Sequence, residues 1–209
     1  LFFYVVWHLS NEGIKHAEVD ISVQSGNLGM LTSGLMAKRI GLQCNKLIAA
    51  CNANNAFDRF VKTGEFIPMS TVATYARLMD MSSPSNLPRL MALSNDSLDN
   101  LRSDIVSSTV TDAQIADTIK SVYEKTGYVA DPHTAVAIAS LDSSADKAKP
   151  ALIMATAHPS KSPAVMQAIL GSDYNVPRQS QGAVAQLMRP DRLPPTYPAF
   201  KKYLLSHQV

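Results

Sequence analysis

Three apolar segments of the chain have the pattern of buried β-strands. Val19 to Val23 alternates apolar and polar residues and is rich in β-branched side chains, whereas Lys46 to Ala50 and Ala151 to Ala155 are almost continuously apolar. Alternation favours a β-strand, and short continuous apolar runs are typical of strands covered on both faces. The sequence therefore predicts three buried strands.

Helical spacing of apolar residues predicts a helix from Met30 to Ile40, and Gly41 follows it as a stop signal. Thr111 and Gln114 form a capping box, which begins a helix expected to stop at Gly127. Further helices are predicted at residues 57–62, 87–93, 97–105, 131–141, 164–170 and 199–205, and residues 143–150 are predicted to form a polar loop.

The order of these elements predicts the fold class. A strand, a glycine-containing turn, a helix and a second strand make a βαβ unit, whose strands are parallel. Strands that alternate with helices predict an α/β fold with a mostly parallel sheet flanked by helices. We expect one domain over residues 1–209, with an irregular, proline-rich tail from about residue 189.

Composition excludes several classes of protein. Of the 209 residues 46% are apolar and 17% are charged, which rules out intrinsic disorder. The formal net charge of +2 gives no surplus that would favour nucleic acid or an anionic membrane as a partner. Cys44 and Cys51 have no spacing suited to a metal site, and they favour a reducing, cytoplasmic location.

The first seven residues, Leu1 to Trp7, are apolar and are not preceded by Met. The run is far shorter than the roughly 20 residues of a membrane span, and it lacks the basic region and cleavage site of a secretory signal. We therefore expect the chain to be a fragment cut inside a buried element, with exposed apolar surface around residues 1–7.

A glycine-containing turn, Ser25 to Gly29, lies between the first predicted strand and the helix. Unpaired amides and the helix dipole at such a position favour an anion, commonly a phosphate. Gly26 and Gly29 allow close approach of the backbone, and Ser25 and Asn27 add side-chain donors. An ordinary strand-to-helix turn is the alternative, and the G-x-G-x-x-G dinucleotide fingerprint is absent.

Two further groups of residues carry candidate chemistry. Thr156, His158 and Lys161 directly follow the third strand, at the edge of the sheet where α/β proteins bind ligands. Asp131 precedes Pro132 at a predicted helix start and is followed by His133. Structural roles are the alternatives: His158 satisfies backbone groups, Asp131 is an N-cap, and His133 is a surface residue of the first turn.

Taken in order, these motifs resemble those of threonine synthase over about residues 1–170. They are Gln24-Ser25-Gly26-Asn27-Leu28-Gly29, the segment from Gly34 to Leu42, Ala50-Cys51-Asn52-Ala53-Asn54 with Arg59-Phe60 and Lys62-Thr63-Gly64, Met79-Asp80 with Pro84-Ser85-Asn86, Asp131-Pro132-His133-Thr134-Ala135, and Ala155-Thr156-Ala157-His158-Pro159-Ser160-Lys161. The departures are small. Leu28 stands where Phe is common in the family, and Ser160 and Ser162 stand where Ala and Phe are common.

The resemblance implies a pyridoxal phosphate (PLP) enzyme of fold type II, similar to the tryptophan synthase β chain. The family converts O-phosphohomoserine and water to threonine and phosphate. By this resemblance the cofactor-binding residues are Ser25, Gly26, Asn27, Leu28 and Gly29, with Thr156 facing the pyridine nitrogen. Candidates for lining the substrate site are Asn52, Asn54, Arg59, His133, His158 and Lys161, and no metal is expected.

The family's Schiff-base lysine lies in a Ser-Phe-Lys-Asp segment that this chain does not contain. The resemblance therefore implies that an amino-terminal half is missing and that the chain alone is inactive. A related PLP-dependent phospho-lyase and a non-catalytic binding module of the same fold remain alternatives. A nicotinamide-linked oxidoreductase would need a third glycine, and an acidic residue where the chain has Asn52 and Asn54.

Overall fold

A computed structural model describes residues 2–11, 13, 19–144, 150–171 and 191–207. Contacts within the chain divide it into two units, Leu1–Asn175 and Val176–Val209. The tail expected from about residue 189 begins outside the described residues. Residues 145–149 of the predicted polar loop also lie outside them.

Four parallel strands form the sheet in the order β3-β2-β1-β4. They are β1 (Asp20–Gln24), β2 (Leu47–Cys51), β3 (Ile105–Thr109) and β4 (Ala151–Ile153). Because β1 is central, its neighbours bring residues from distant parts of the sequence to one edge: Gln24 pairs with Ala50, and Ser22 pairs with Ile153. The predicted α/β fold with a mostly parallel sheet is confirmed.

Nine α-helices lie within the described residues: α1 (Phe2–Asn11), α2 (Gly29–Arg39), α3 (Ala56–Thr63), α4 (Leu87–Leu93), α5 (Leu98–Asp104), α6 (Asp112–Thr126), α7 (Pro132–Ser144), α8 (Pro163–Leu170) and α9 (Tyr197–Ser206). Two 3-10 turns, Arg77–Met79 and Pro159–Lys161, lie between them. None of the helices in the described part of the chain is long and apolar enough to span a membrane.

The predicted helix signals act as expected. The Thr111 side chain accepts from the Gln114 amide, the Gln114 side chain bonds back to Thr111, and α6 ends before Gly127, whose φ is 72°. Helix α7 begins at Pro132, but it extends to Ser144, beyond the expected end near Leu141. The start of the predicted polar loop is therefore helical.

Strand β3 was not predicted. Its residues Ile105 to Thr109 follow α5 without an intervening turn, so the sequence pattern shows no boundary there. The structure places the boundary at Asp104, whose carboxylate binds Lys38 Nζ at 2.9 Å and an Arg39 side-chain nitrogen at 2.8 Å. These contacts join the end of α2 to the α5–β3 junction, and β3 then pairs with β2.

Two hydrophobic clusters cover the sheet. The first cluster contains Leu31, Leu35 and Phe57 together with Ile21 and Val23 of β1. The second contains Ile115 and Val136 together with Ala50 of β2. Alternate strand residues thus face opposite clusters, as in a parallel sheet with helices on both faces.

The apolar amino-terminal segment forms α1 and is only partly buried. Phe2 belongs to the core, whereas Phe3, Tyr4 and Trp7 are 46%, 66% and 60% exposed. This exposure agrees with the apolar surface expected around residues 1–7.

Candidate functional site

The glycine turn leaves the carboxyl end of β1 and leads directly into α2. Leu28 is the N-cap of α2, has left-handed backbone angles (φ 61°, ψ 10°) and makes no side-chain capping bond. The Thr32 amide donates to the Leu28 carbonyl at 2.8 Å, which begins the helical bonding pattern. Backbone amides of the turn and first helical residues thus form a helix N-terminus without a side-chain cap, which favours an anion.

Gly26 is required by close contact with a second chain segment. A Cβ at this position would lie 2.6 Å from Met79 Cα and 2.8 Å from the Met79 carbonyl oxygen. At Gly29 the nearest atom to an added Cβ is Asn86 Nδ2, at 3.7 Å, which is an ordinary contact. The 3-10 turn that carries Met79 therefore packs directly against the glycine turn.

A cavity of about 190 Å³ opens beside the turn. Its lining comprises Gln24, Gly26, Asn27, Leu28, Gly29, Leu78, Met79, His133, Thr156, Ala157 and Lys161. The structure therefore brings together residues 26–29 of the glycine turn, Thr156, His133 and Lys161 from the predicted set. Sequence reasoning did not single out Gln24, Leu78 and Met79 as site residues.

Thr156 and Gln24 are joined by a hydrogen bond at the ends of adjacent strands. Gln24 Nε2 donates to Thr156 Oγ1. Gln24 Oε1 is buried and has no hydrogen-bond partner among the described residues. The sequence held one signal for Gln24, since it is the last residue of β1 and directly precedes the glycine turn.

His133 links α7 to the turn that contacts Gly26. Its Nε2 accepts from the Leu78 amide at 3.1 Å, so the ring proton lies on Nδ1, which donates to Asp131 Oδ2 at 2.6 Å. Both side chains are buried. His133 therefore lines the cavity and is buried, so it is not the surface residue of the alternative interpretation.

Asp131 is the N-terminal cap of α7. Its carboxylate accepts from the backbone amides of His133 and Thr134, at 3.0 and 3.1 Å. Burial opposes the charged form, but hydrogen bonds from His133 and Thr134 outweigh burial and hold the pKa of the Asp131 carboxyl below its ordinary value.

Replacing Asp131 with Asn is expected to weaken the acid dependence of stability. Because the pKa is lower in the folded chain, the stabilisation by Asp131 is complete above the unfolded pKa and is lost as pH falls through the folded pKa. The free energy of unfolding should thus fall less steeply in Asp131→Asn than in the wild type between about pH 5 and pH 3. Urea titrations across this range measure the slope. Asp99→Asn, which changes an exposed carboxylate, is the control, and parallel wild-type and Asp131→Asn profiles would contradict the assignment.

Lys161 and His158 differ in their surroundings. Lys161 is exposed, lines the cavity, and forms no ion pair within the described part of the chain. His158 Nδ1 accepts from the Ser160 amide at 3.2 Å and lies 2.8 Å from Ser160 Oγ. His158 thus caps its own 3-10 turn and is not part of the cavity lining.

Asn52 and Asn54 are buried in a network around Asp80. Asp80 Oδ1 accepts from Asn52 Nδ2 at 2.7 Å, Asn54 Nδ2 at 3.0 Å and Thr74 Oγ1 at 2.7 Å, and Oδ2 accepts from the Thr74 amide at 3.0 Å. Asn54 Nδ2 also donates to the Val72 carbonyl, and the Val72 amide donates to Asn54 Oδ1. The network holds residues 72–80 at the end of β2, and neither asparagine belongs to the cavity lining.

Two other predicted residues lie apart from the cavity lining. Ser25 is buried and donates through Oγ to the Val23 carbonyl at 2.9 Å, so its side chain satisfies the backbone of β1. Arg59 lies on an exposed position of α3. Their roles toward cofactor or substrate stay predictions.

The remaining reactive groups give no sign of metal or thiol chemistry. Within the described ranges, no group of three His, Cys, Asp or Glu residues could hold a metal ion. Cys51 is fully buried in β2, and burial raises the pKa of its thiol to about 12, so it is protonated at neutral pH.

Comparison with known proteins identifies similar chains. No protein-family model matches. The chain is 34% identical to threonine synthase from Serratia marcescens over 205 residues, which are 98% of this chain and 47% of the relative. The crystal structure of threonine synthase from Escherichia coli has a TM-score of 0.82 and 32% identity over 92% of this chain and 45% of its own.

A structure of PLP-bound threonine synthase from Brucella melitensis has a TM-score of 0.87 and 26% identity, covering 99% of this chain and 49% of that one. The chain thus spans about half the length of the relatives it matches, and its parallel sheet with flanking helices is that of the fold-type-II PLP enzymes.

Proposed function

Because the chain belongs to the threonine synthase family, we propose that it is part of an enzyme that converts O-phosphohomoserine and water to threonine and phosphate. The cofactor of that enzyme is PLP, as in the PLP-bound relative from Brucella melitensis. The chain spans about half the length of its relatives, so the reaction is proposed for the whole protein. We place the reaction in the cytoplasm, in threonine biosynthesis.

The observation that carries this proposal is the helix N-terminus without a side-chain cap at one wall of the cavity. It suits the cofactor phosphate, because the turn amides and the dipole of α2 offer positive charge and no side chain caps these amides. Lys161 lines the same cavity and adds a positive charge. The residues present therefore fit the group.

The other cavity residues have positioning roles in this proposal. Bound PLP supplies an electron sink for carbanion chemistry. By the family resemblance, the Thr156 hydroxyl would hold the ring nitrogen by donating to it, and this nitrogen would then stay largely unprotonated. His133 holds the Leu78 amide, and thereby keeps the neighbouring Met79 against the glycine turn.

The cofactor lysine is proposed to come from a part of the protein outside this chain. None of the chain's lysines lies in a Ser-Phe-Lys-Asp segment. Lys161, the lysine in the cavity lining, is assigned to stabilising the negative charge of the phosphate.

This assignment predicts that the chain alone has no turnover. We expect the complete protein, with PLP, to release phosphate from O-phosphohomoserine, and the 209-residue chain to release none. Borohydride treatment followed by peptide mass analysis should find no cofactor adduct on any lysine of the chain. Phosphate release by the chain, or an adduct on Lys161, would contradict the assignment of the lysine.

The substrate is tested on the complete protein with a panel of phosphorylated amino alcohols that includes O-phosphohomoserine. Preference for another phosphorylated amino alcohol would favour a related phospho-lyase. Cofactor binding without turnover of any member of that panel would favour a non-catalytic module.

A further inference from the structure

We propose that Gln24 is a positioning residue, which makes the Thr156 hydroxyl a hydrogen-bond donor toward the cofactor ring and so keeps the ring nitrogen unprotonated. This inference rests on the function proposed above. It concerns a residue that the motif comparison did not place in the site, and it assigns the side chain an effect, through Thr156, on the protonation state of the cofactor ring.

The sheet brings the two residues together. Strands β1 and β4 are parallel neighbours, and the Met154 amide donates to the Ser22 carbonyl at 3.0 Å, so the register continues past the end of β4. Gln24 ends β1 and Thr156 follows β4, and both line the cavity. Their contact therefore follows from the parallel register of β1 and β4.

The direction of the hydrogen bond determines what Thr156 can offer a ligand. A hydroxyl group has one proton and two lone pairs. Because Gln24 Nε2 donates to Thr156 Oγ1, one lone pair is engaged and the hydroxyl proton stays available for another acceptor. An unprotonated pyridine nitrogen is such an acceptor.

The charges around the cavity also favour an unprotonated ring nitrogen. Its lining within the described residues contains no carboxylate that would stabilise a pyridinium. The charged residue there is Lys161, a cation, while His133 donates through Nδ1 to Asp131 and accepts through Nε2. A positive charge on the ring would therefore lack a counter-ion in this lining.

The other end of the Gln24 amide supports a role toward a ligand. Gln24 Oε1 is buried without a hydrogen-bond partner among the described residues. A buried acceptor without a partner is unfavourable in a purely structural role. The side chain therefore has its donor on Thr156, and its acceptor is buried without a partner in a residue that lines the cavity.

Gln24→Glu reverses the hydrogen bond at nearly constant shape. An ionised carboxylate only accepts, so Thr156 would donate its proton to Glu and present only lone pairs to the ring. The protonated form of the ring nitrogen would then be favoured. Gln24→Met keeps the length of the side chain but removes the donor, so it should weaken cofactor binding by about fivefold, the effect of one hydrogen bond.

The test uses the complete protein, loaded with PLP that is labelled with ¹⁵N in the ring. Affinity is measured by fluorescence titration, and ring protonation by the ¹⁵N chemical shift of the bound cofactor. In wild type we expect the shift of an unprotonated pyridine, and in Gln24→Glu a shift toward pyridinium. Gln167→Glu, which adds the same charge at an exposed position of α8, should behave as wild type.

A Thr156→Val background separates positioning from simple charge. If Gln24 acts through the hydroxyl, Gln24→Glu should move the ¹⁵N shift much less when Thr156 is Val. An equal movement in both backgrounds, or no movement in either, would overturn the proposal while leaving the cofactor site intact. Absence of saturable PLP binding by wild type would instead overturn the proposed cofactor site, and this inference with it.

Discussion

Gly26→Ala is expected to destabilise the chain by about 1–3 kcal/mol, the usual effect of overpacking. We also expect it to weaken PLP binding at least tenfold. The new Cβ would lie 2.6 Å from Met79 Cα, 2.7 Å from its Cβ and 2.8 Å from its carbonyl oxygen. None of these atoms is the flexible end of a side chain, so either the glycine turn or the 3-10 turn must move.

Movement of the 3-10 turn is opposed from both sides. The Leu78 amide is bonded to His133, and Asp80 is held by Asn52, Asn54 and Thr74. Displacement of the glycine turn would shift the amides that begin α2, and this is why we expect binding as well as stability to suffer.

Gly29→Ala is the matched control for stability. Its added Cβ would meet only Asn86 Nδ2, at 3.7 Å, so the free energy of unfolding should change little. Urea unfolding and fluorescence titration with PLP measure the two effects. Equal stability of the two alanine variants would show that the contact between Gly26 and Met79 is not as tight as the structure indicates.

Asp80→Ala should cost about 2–4 kcal/mol, because removing this carboxylate leaves buried donors without partners. Asn52 Nδ2 would keep only Thr74 Oγ1, at 2.9 Å, and the Thr74 amide and hydroxyl would lose the acceptors that bind them at 3.0 and 2.7 Å. Asn54 Nδ2 would keep its bond to the Val72 carbonyl.

The structural effect of Asp80→Ala should extend to the cavity. Residues 72–80 would no longer be held at the end of β2, and Met79 lies in this segment against Gly26. Asp99→Ala is the control, because that side chain is 95% exposed and lies 3.8 Å from Arg102, so its loss should change stability by less than about 0.5 kcal/mol. Equal unfolding midpoints for the two variants would contradict the structural role of Asp80.

Most of the fold could be predicted from local pattern. Strands β1, β2 and β4, the capping box of α6 and the stop at Gly127 all follow from side-chain spacing and from the conformational preferences of single residues. Strand β3 could not, because Ile105 to Thr109 continues from α5 without a turn and its pairing with β2 is a contact between distant segments.

The candidate site could likewise be predicted only in part from the sequence. The glycine turn, Thr156, His133 and Lys161 were predicted and meet at the cavity. Asn52 and Asn54 were predicted as site-lining candidates, but the structure buries both around Asp80. A polar side chain after a strand can turn toward the cavity or toward a neighbouring loop, and sequence alone does not distinguish these directions.

The sequence by itself determined the α/β class, the helix N-terminus after the glycine turn and the resemblance to threonine synthase, because these depend on short-range spacing and on motif order. Only the tertiary structure decided that Gln24 bonds to Thr156, that Leu28 adopts left-handed angles, and that Met79 requires glycine at position 26. The Gln24–Thr156 bond and the Gly26–Met79 contact join segments far apart in the chain, whose relative positions are set by the parallel sheet and its packing.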